Sequence, residues 1–126
     1  HSMPGPRLLA IDPSLTCSGL ALFDVPSGKL MGAAKIRSLP PSYDLADRLK
    51  DLQDKVHSTF DSFSIATNDV VVCEAPTTMR DPRAAFRVEQ VRCIFETLAR
   101  VRGSTVPGRI NPRSVHHEVL GLRGKQ

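Results

Sequence analysis

Two carboxylates stand where chemistry can be done. Asp12 follows the apolar run Leu8-Leu-Ala-Ile11, and Glu74 follows Val70-Val-Val-Cys73. Each acid ends a stretch that reads as a buried strand, and each opens a proline-containing loop. If those strands are parallel neighbours, both carboxylates emerge at the carboxyl edge of a sheet, where open α/β folds place their ligands. Hard oxygen donors converging there suit Mg²⁺ or Mn²⁺. Two such ions roughly 3.5–4 Å apart can hold a phosphodiester, activate a water and stabilise the leaving oxygen. Either acid alone reads better as a turn residue. The matching contexts of the two point to a site.

The elements that must position these acids are legible from periodicity. Arg7–Ile11 reads as the first strand and Gly19–Phe23 as the second. Asp24-Val-Pro-Ser-Gly28 supplies turn chemistry before a third strand over Lys29–Ile36, so the second and third form a hairpin. Leu45, Leu49, Leu52 and Val56 recur at helical spacing, with Asp47, Lys50, Asp51 and Asp54 on other faces. Asp69–Cys73 is a continuous β-branched run that suits a central strand. Asp81 is a good helix N-cap with Pro82 at the first helical position. Phe86, Val91, Ile94, Phe95, Leu98 and Val101 can line the buried side of that second helix, and Gly103 can stop it. Thr105-Val106 and Arg109-Ile110 flank a last, irregular strand, and Asn111-Pro112 starts a short helix closed by Gly121. The order β-β-β-α-β-α-β-α predicts a mixed five-stranded sheet with helices on both faces. His1-Ser2-Met3 reads as an expression leader and natural start, leaving residues 4–126 as a single domain.

Charge separates along the chain. Residues 1–74 hold 7 Lys/Arg against 9 Asp/Glu, whereas residues 75–126 hold 10 against 4. A basic second half suits a polyanion such as nucleic acid, and equally a solvated basic surface. Arg80, Arg83 and Arg87 share one helical face at the start of the second helix. Positive charge there opposes the helix dipole by about 0.3–1 kcal/mol each, so helix stability does not explain it, whereas phosphate contact does. Arg109, Arg113, Arg123 and Lys125 form a second basic set. His116 and His117 are adjacent and have no partner at zinc spacing; His116 can contact phosphate or move a proton. Ser14, Thr16 and Ser18 lack any nucleophile motif and read as turn residues. The odd number of cysteines (Cys17, Cys73 and Cys93) matches no metal motif and reads as reduced, mostly buried thiols of a cytoplasmic protein. The apolar runs are far shorter than a bilayer span, so no membrane partner is expected.

The ordered motifs resemble the RuvC-type Holliday-junction resolvases. Leu9-Ala-Ile-Asp12-Pro-Ser-Leu-Thr16, followed by Ser18-Gly19-Leu-Ala, resembles the family's opening acidic motif and hairpin. Val71-Val-Cys-Glu74 resembles its second acidic motif, and Pro112-Arg-Ser-Val115 with Val119-Leu-Gly121 and Lys125 its later segment. The resemblance implies a ribonuclease-H-like fold and a homodimer that cuts four-way DNA junctions with Mg²⁺ or Mn²⁺, in a bacterial cytoplasm. It assigns Asp12 and Glu74 to the metal and to catalysis. Lys125 falls where the family keeps a basic residue near the scissile phosphate. Arg80, Arg83, Arg87, Arg113, His116, Arg123 and Lys125 are the residues expected on DNA.

The family's site uses four carboxylates, two of them on a C-terminal helix. The sequence ends at Gln126, ahead of any such helix, so it is expected to bind DNA and to cut it poorly. Thr77 and Thr78 stand where the family often has an aromatic residue, and Val115-His116 replaces its Val-Lys pair. A non-catalytic DNA-binding module with the same fold is the competing reading. The hairpin at Asp12, Ser14 and Thr16 also faintly resembles the phosphate-binding turn of actin-like ATPases, a fold that needs a second phosphate loop and far more chain.

Overall fold

The computed structural model describes residues 5–74 and 81–108. Three strands open it: β1 (Arg7–Asp12), β2 (Cys17–Asp24) and β3 (Leu30–Arg37). Helix α1 (Leu45–Phe63), strand β4 (Val70–Cys73) and helix α2 (Pro82–Val101) follow. The sheet order is β3-β2-β1-β4, with an antiparallel meander and β4 parallel to β1. A parallel pair needs a crossover, and α1 provides it. The β2–β3 turn closes on Asp24, whose Oδ2 accepts from the Ser27 amide and hydroxyl, while Gly28 takes the left-handed conformation at φ 71°.

The sheet has four strands among the described residues, not the five expected. Thr105 makes only an isolated parallel bridge to Val70. Two neighbours explain the short pairing: Pro107 cannot donate to a ladder, and Gly108 turns the chain at φ 95°. Arg109-Ile110 and the helix expected over 111–121 lie outside the described residues. Both described helices pack on one face of the sheet, rather than one on each.

That face holds the main core. Leu9 and Ile11 of β1 and Val71 and Cys73 of β4 are fully buried, and they meet Leu52, Val56 and Phe60 of α1 and Val91 and Phe95 of α2. The α1 stripe read from the sequence runs one turn further, to Phe60, before Ser64 caps the helix in the left-handed conformation. Leu45, at the start of the α1 stripe, is exposed, and Leu49 is only partly buried. In α2 the Asp81 carboxylate accepts from the Arg83 amide, as an N-cap should. Phe86 and Val101 correct the expected stripe: they are 64% and 73% exposed. Phe86 lies nine residues before the fully buried Phe95, about 180° round the helix from it. Cysteine burial is likewise mixed, with Cys73 buried, Cys17 half-buried and Cys93 exposed. Burial pushes the Cys73 thiol up to about 12, so it is an inert core thiol.

One part-buried ion pair ties together the starts of the strands that carry the acids. Arg7, at the start of β1, donates from Nε and Nη2 to both carboxylate oxygens of Asp69 at 2.9 and 2.8 Å. Asp69 also accepts from the Ala66 amide and immediately precedes β4. This two-pronged contact holds the parallel register Leu8↔Val70 through Ile11↔Cys73.

Candidate metal centre

The register carries Asp12 and Glu74 out of the sheet side by side. Ile11 pairs with Cys73, and each acid is the next residue along its own strand. The Glu74 amide donates to the Ile11 carbonyl at 2.8 Å, which extends the alignment to the acids themselves. Strand alternation then sets the faces. Leu9, Ile11, Val71 and Cys73 point to the helices, so Asp12 and Glu74 point away from them. Both line a shallow cavity of about 610 Å³ on the opposite face, with Ala10, Ala21 and Ala33 in its floor and Lys35 at its far side.

Neither carboxylate has a side-chain hydrogen bond or ion pair among the described residues. Burial, and then the negative charge of Asp12, push the Glu74 carboxyl above its usual range. Two acids side by side with no ion-pair partner among the described residues form a site short of positive charge. Their oxygens fit a hard divalent ion, and Asp12 and Glu74 are the residues that would hold it. The set is small: among the described residues no group of three or more metal-ligating side chains converges.

The loop after Asp12 is built by hydroxyls. The Ser18 hydroxyl, fully buried, donates to the Ser14 carbonyl and accepts from the Ser14 amide. The Ser14 hydroxyl accepts from the Thr16 amide at 3.2 Å. These residues shape the turn, in keeping with their sequence reading.

Of the residues expected on DNA, Arg83 and Arg87 lie exposed on the first two turns of α2, beside Phe86 and Leu45 in a second cavity of about 350 Å³. Arg80, Arg113, His116, Arg123 and Lys125 lie outside the described residues. The structure also brings in a residue that the sequence reading missed. Lys35 shares the acid face, and the signal was available: in Ala33-Ala-Lys-Ile-Arg37 the buried Ile36 forces its neighbours to the other side.

Solved structures share this architecture. The RuvC of Thermus thermophilus in complex with a Holliday junction substrate superposes with a TM-score of 0.70 at 19% identity, over 94% of this chain and 78% of that one. The chain has a RuvC-like fold. A second Thermus thermophilus RuvC structure gives a TM-score of 0.66 at 20% identity, over 84% of this chain and 64% of that one. No protein-family model matches the sequence, and no curated protein does. Identity this low makes the RuvC-like likeness one of backbone path. Within it, the acids rest on this chain's own register.

The unneutralised pair has a measurable consequence. Folding raises the Glu74 carboxyl, so the folded state takes up a proton more readily than the unfolded chain. This contribution to stability is therefore greatest on the acid side and falls as pH rises through the raised value. Glu74→Gln removes the partly buried charge and, with it, the repulsion from Asp12. In metal-free buffer at pH 7 it is expected to raise the melting temperature by about 1–3 °C, with the gain shrinking toward pH 4. Thermal melts across pH in EDTA check both the sign and the trend.

Proposed function

We propose that this chain is the DNA-binding and metal-binding portion of a structure-selective endonuclease that hydrolyses phosphodiester bonds in branched DNA, with four-way junctions as its substrate. The observation that carries the proposal is the alignment of Asp12 and Glu74 on adjacent parallel strands, on one open face of a RuvC-like sheet. A bound Mg²⁺ or Mn²⁺ would supply charge neutralisation and an activated water at the scissile phosphate. The chain's own part is to hold two carboxylates in fixed register, and to offer a floor low enough for a backbone to approach. Arg83 and Arg87, with Arg80, Arg113, His116, Arg123 and Lys125, contact the DNA. Lys125 is also assigned to the reacting phosphate. The homodimer and the cytoplasmic setting belong to the same proposal.

A non-catalytic junction-binding module is the second reading, favoured by the meeting of only two acids among the described residues. One experiment separates them. Binding to a labelled four-way junction is compared with binding to a duplex of the same sequence, and then cleavage is followed in Mn²⁺. Junction preference of at least about tenfold is expected. Cleavage above the Asp12→Asn background supports the nuclease, and junction preference without it supports the module. Equal affinity for duplex and junction sinks both.

A further inference from the structure

Lys35 stands in line with the two acids. Asp12 pairs with Gly19, and Gly19 pairs with Lys35, so Lys35, Gly19, Asp12 and Glu74 form one row across all four strands. Neighbouring strands lie about 4.8 Å apart, which places Lys35 roughly 10 Å from Asp12 along the row. The ground between them is low. A Cβ added to Gly19 would meet nothing within 4 Å, and alanines flank it on both sides.

Arg37 is two residues further along β3 and so faces the same way. Because β3 runs in the same direction as β1, Arg37 reaches the sheet edge at which Asp12 and Glu74 emerge. Its separation from Lys35 is about 6.7 Å along the strand, comparable with the spacing of consecutive phosphates on an extended nucleic-acid strand. Both residues are exposed, and neither side chain makes a hydrogen bond or ion pair among the described residues. Several other cations of the sheet and helices are committed: Arg7 to Asp69, Lys55 to Asp51, Arg92 to Glu89 and Glu96, and Arg102 to Asp61.

Two uncommitted cations on β3, an apolar floor and an acid pair thus share one face, with Lys35 in the row of the acids and Arg37 beside it. We infer that β3 is a phosphate track, in which Lys35 and Arg37 hold the sugar-phosphate backbone of the nucleic-acid strand whose neighbouring phosphate lies at Asp12 and Glu74. The sugars pack over Gly19 and the alanines. The inference rests on the nucleic-acid reading above and adds to it a contact surface in the half of the chain whose net charge is negative.

The test is the salt dependence of binding to a fluorescein-labelled four-way DNA junction, read by anisotropy on the full chain in EDTA. Each phosphate contact contributes about 0.7–0.9 to the slope of log affinity against log salt. Lys35→Ala and Arg37→Ala are each expected to lower the slope by that amount, and their combination by about twice as much. Lys35→Arg keeps the wild-type slope, as does Lys50→Ala on the outer face of α1. Unchanged slopes in Lys35→Ala and Arg37→Ala, with salt-dependent binding by the wild type, overturn the track and leave the nucleic-acid reading standing. No salt-dependent binding by the wild type overturns that reading, and the track with it.

Discussion

Phe95→Ala is expected to lower the free energy of unfolding by about 3–5 kcal/mol. Phe95 is fully buried, and its ring lies 6.4 Å from that of Phe60 at an interplanar angle of 44°. The pair joins α2 to α1 beneath the strands that carry Asp12 and Glu74. Truncation removes the transfer energy of the ring and leaves a cavity that two helices and a sheet cannot close together. A loss of that size consumes much of the ~5–15 kcal/mol by which domains are stable. Phe86→Ala provides the contrast. It removes the same atoms from the same helix, but from an exposed position, and should cost no more than about 0.5 kcal/mol. Urea midpoints for the two variants measure the difference. Equal effects would mean that α2 does not pack on the sheet through the Phe95 side.

The same two phenylalanines show what the sequence could and could not say. Helix α2 was legible because its start is chemical: Asp81 caps it and Pro82 fits the first turn. Its buried face was harder to read. Six apolar residues over sixteen positions do not make one stripe: Val91, Phe95 and Leu98, with Ala99, are buried in the core, Ile94 packs at its margin, and Phe86 and Val101 are exposed. The strands were legible because β1 and β4 are apolar runs, each ended by an acid. What the runs did not contain was their pairing. The register that sets Asp12 beside Glu74 pairs strands far apart in the chain, as does the Arg7–Asp69 contact between residues sixty-two apart, and no local pattern joins them. Lys35 illustrates the same limit. Alternation around Ile36 gives its face, but its place in the row with Asp12 follows only once β2 is known to lie between them. The fifth strand failed for a local reason, because the residues after Thr105 cannot continue a ladder.

Asp12→Asn is expected to abolish the stabilisation of the chain by Mn²⁺. An ion that binds only the folded state stabilises it by RT ln(1 + [L]/Kd), about 1.4 kcal/mol at ten times Kd. For a chain of this length that is roughly 3–6 °C in melting temperature. With asparagine at position 12 the pair becomes one carboxylate and one neutral amide, too little charge to displace water from a divalent ion. Burial is the main cause of the raised Glu74 carboxyl, and the same change relieves the smaller part due to Asp12, so in EDTA the variant should melt at or slightly above the wild type. The two effects have opposite signs, and that opposition marks a metal site. A substitution that merely damaged the turn before Pro13 would lower the melting temperature with and without Mn²⁺. Asp54→Asn, on an exposed position of α1, controls for non-specific ion binding and should leave the Mn²⁺ response intact. Melting curves across a Mn²⁺ titration, with the free ion followed by its EPR signal, read both quantities. An Asp12→Asn variant that keeps the full Mn²⁺ response would place the ion elsewhere, and the face bearing Asp12 and Glu74 would lose its claim to the chemistry.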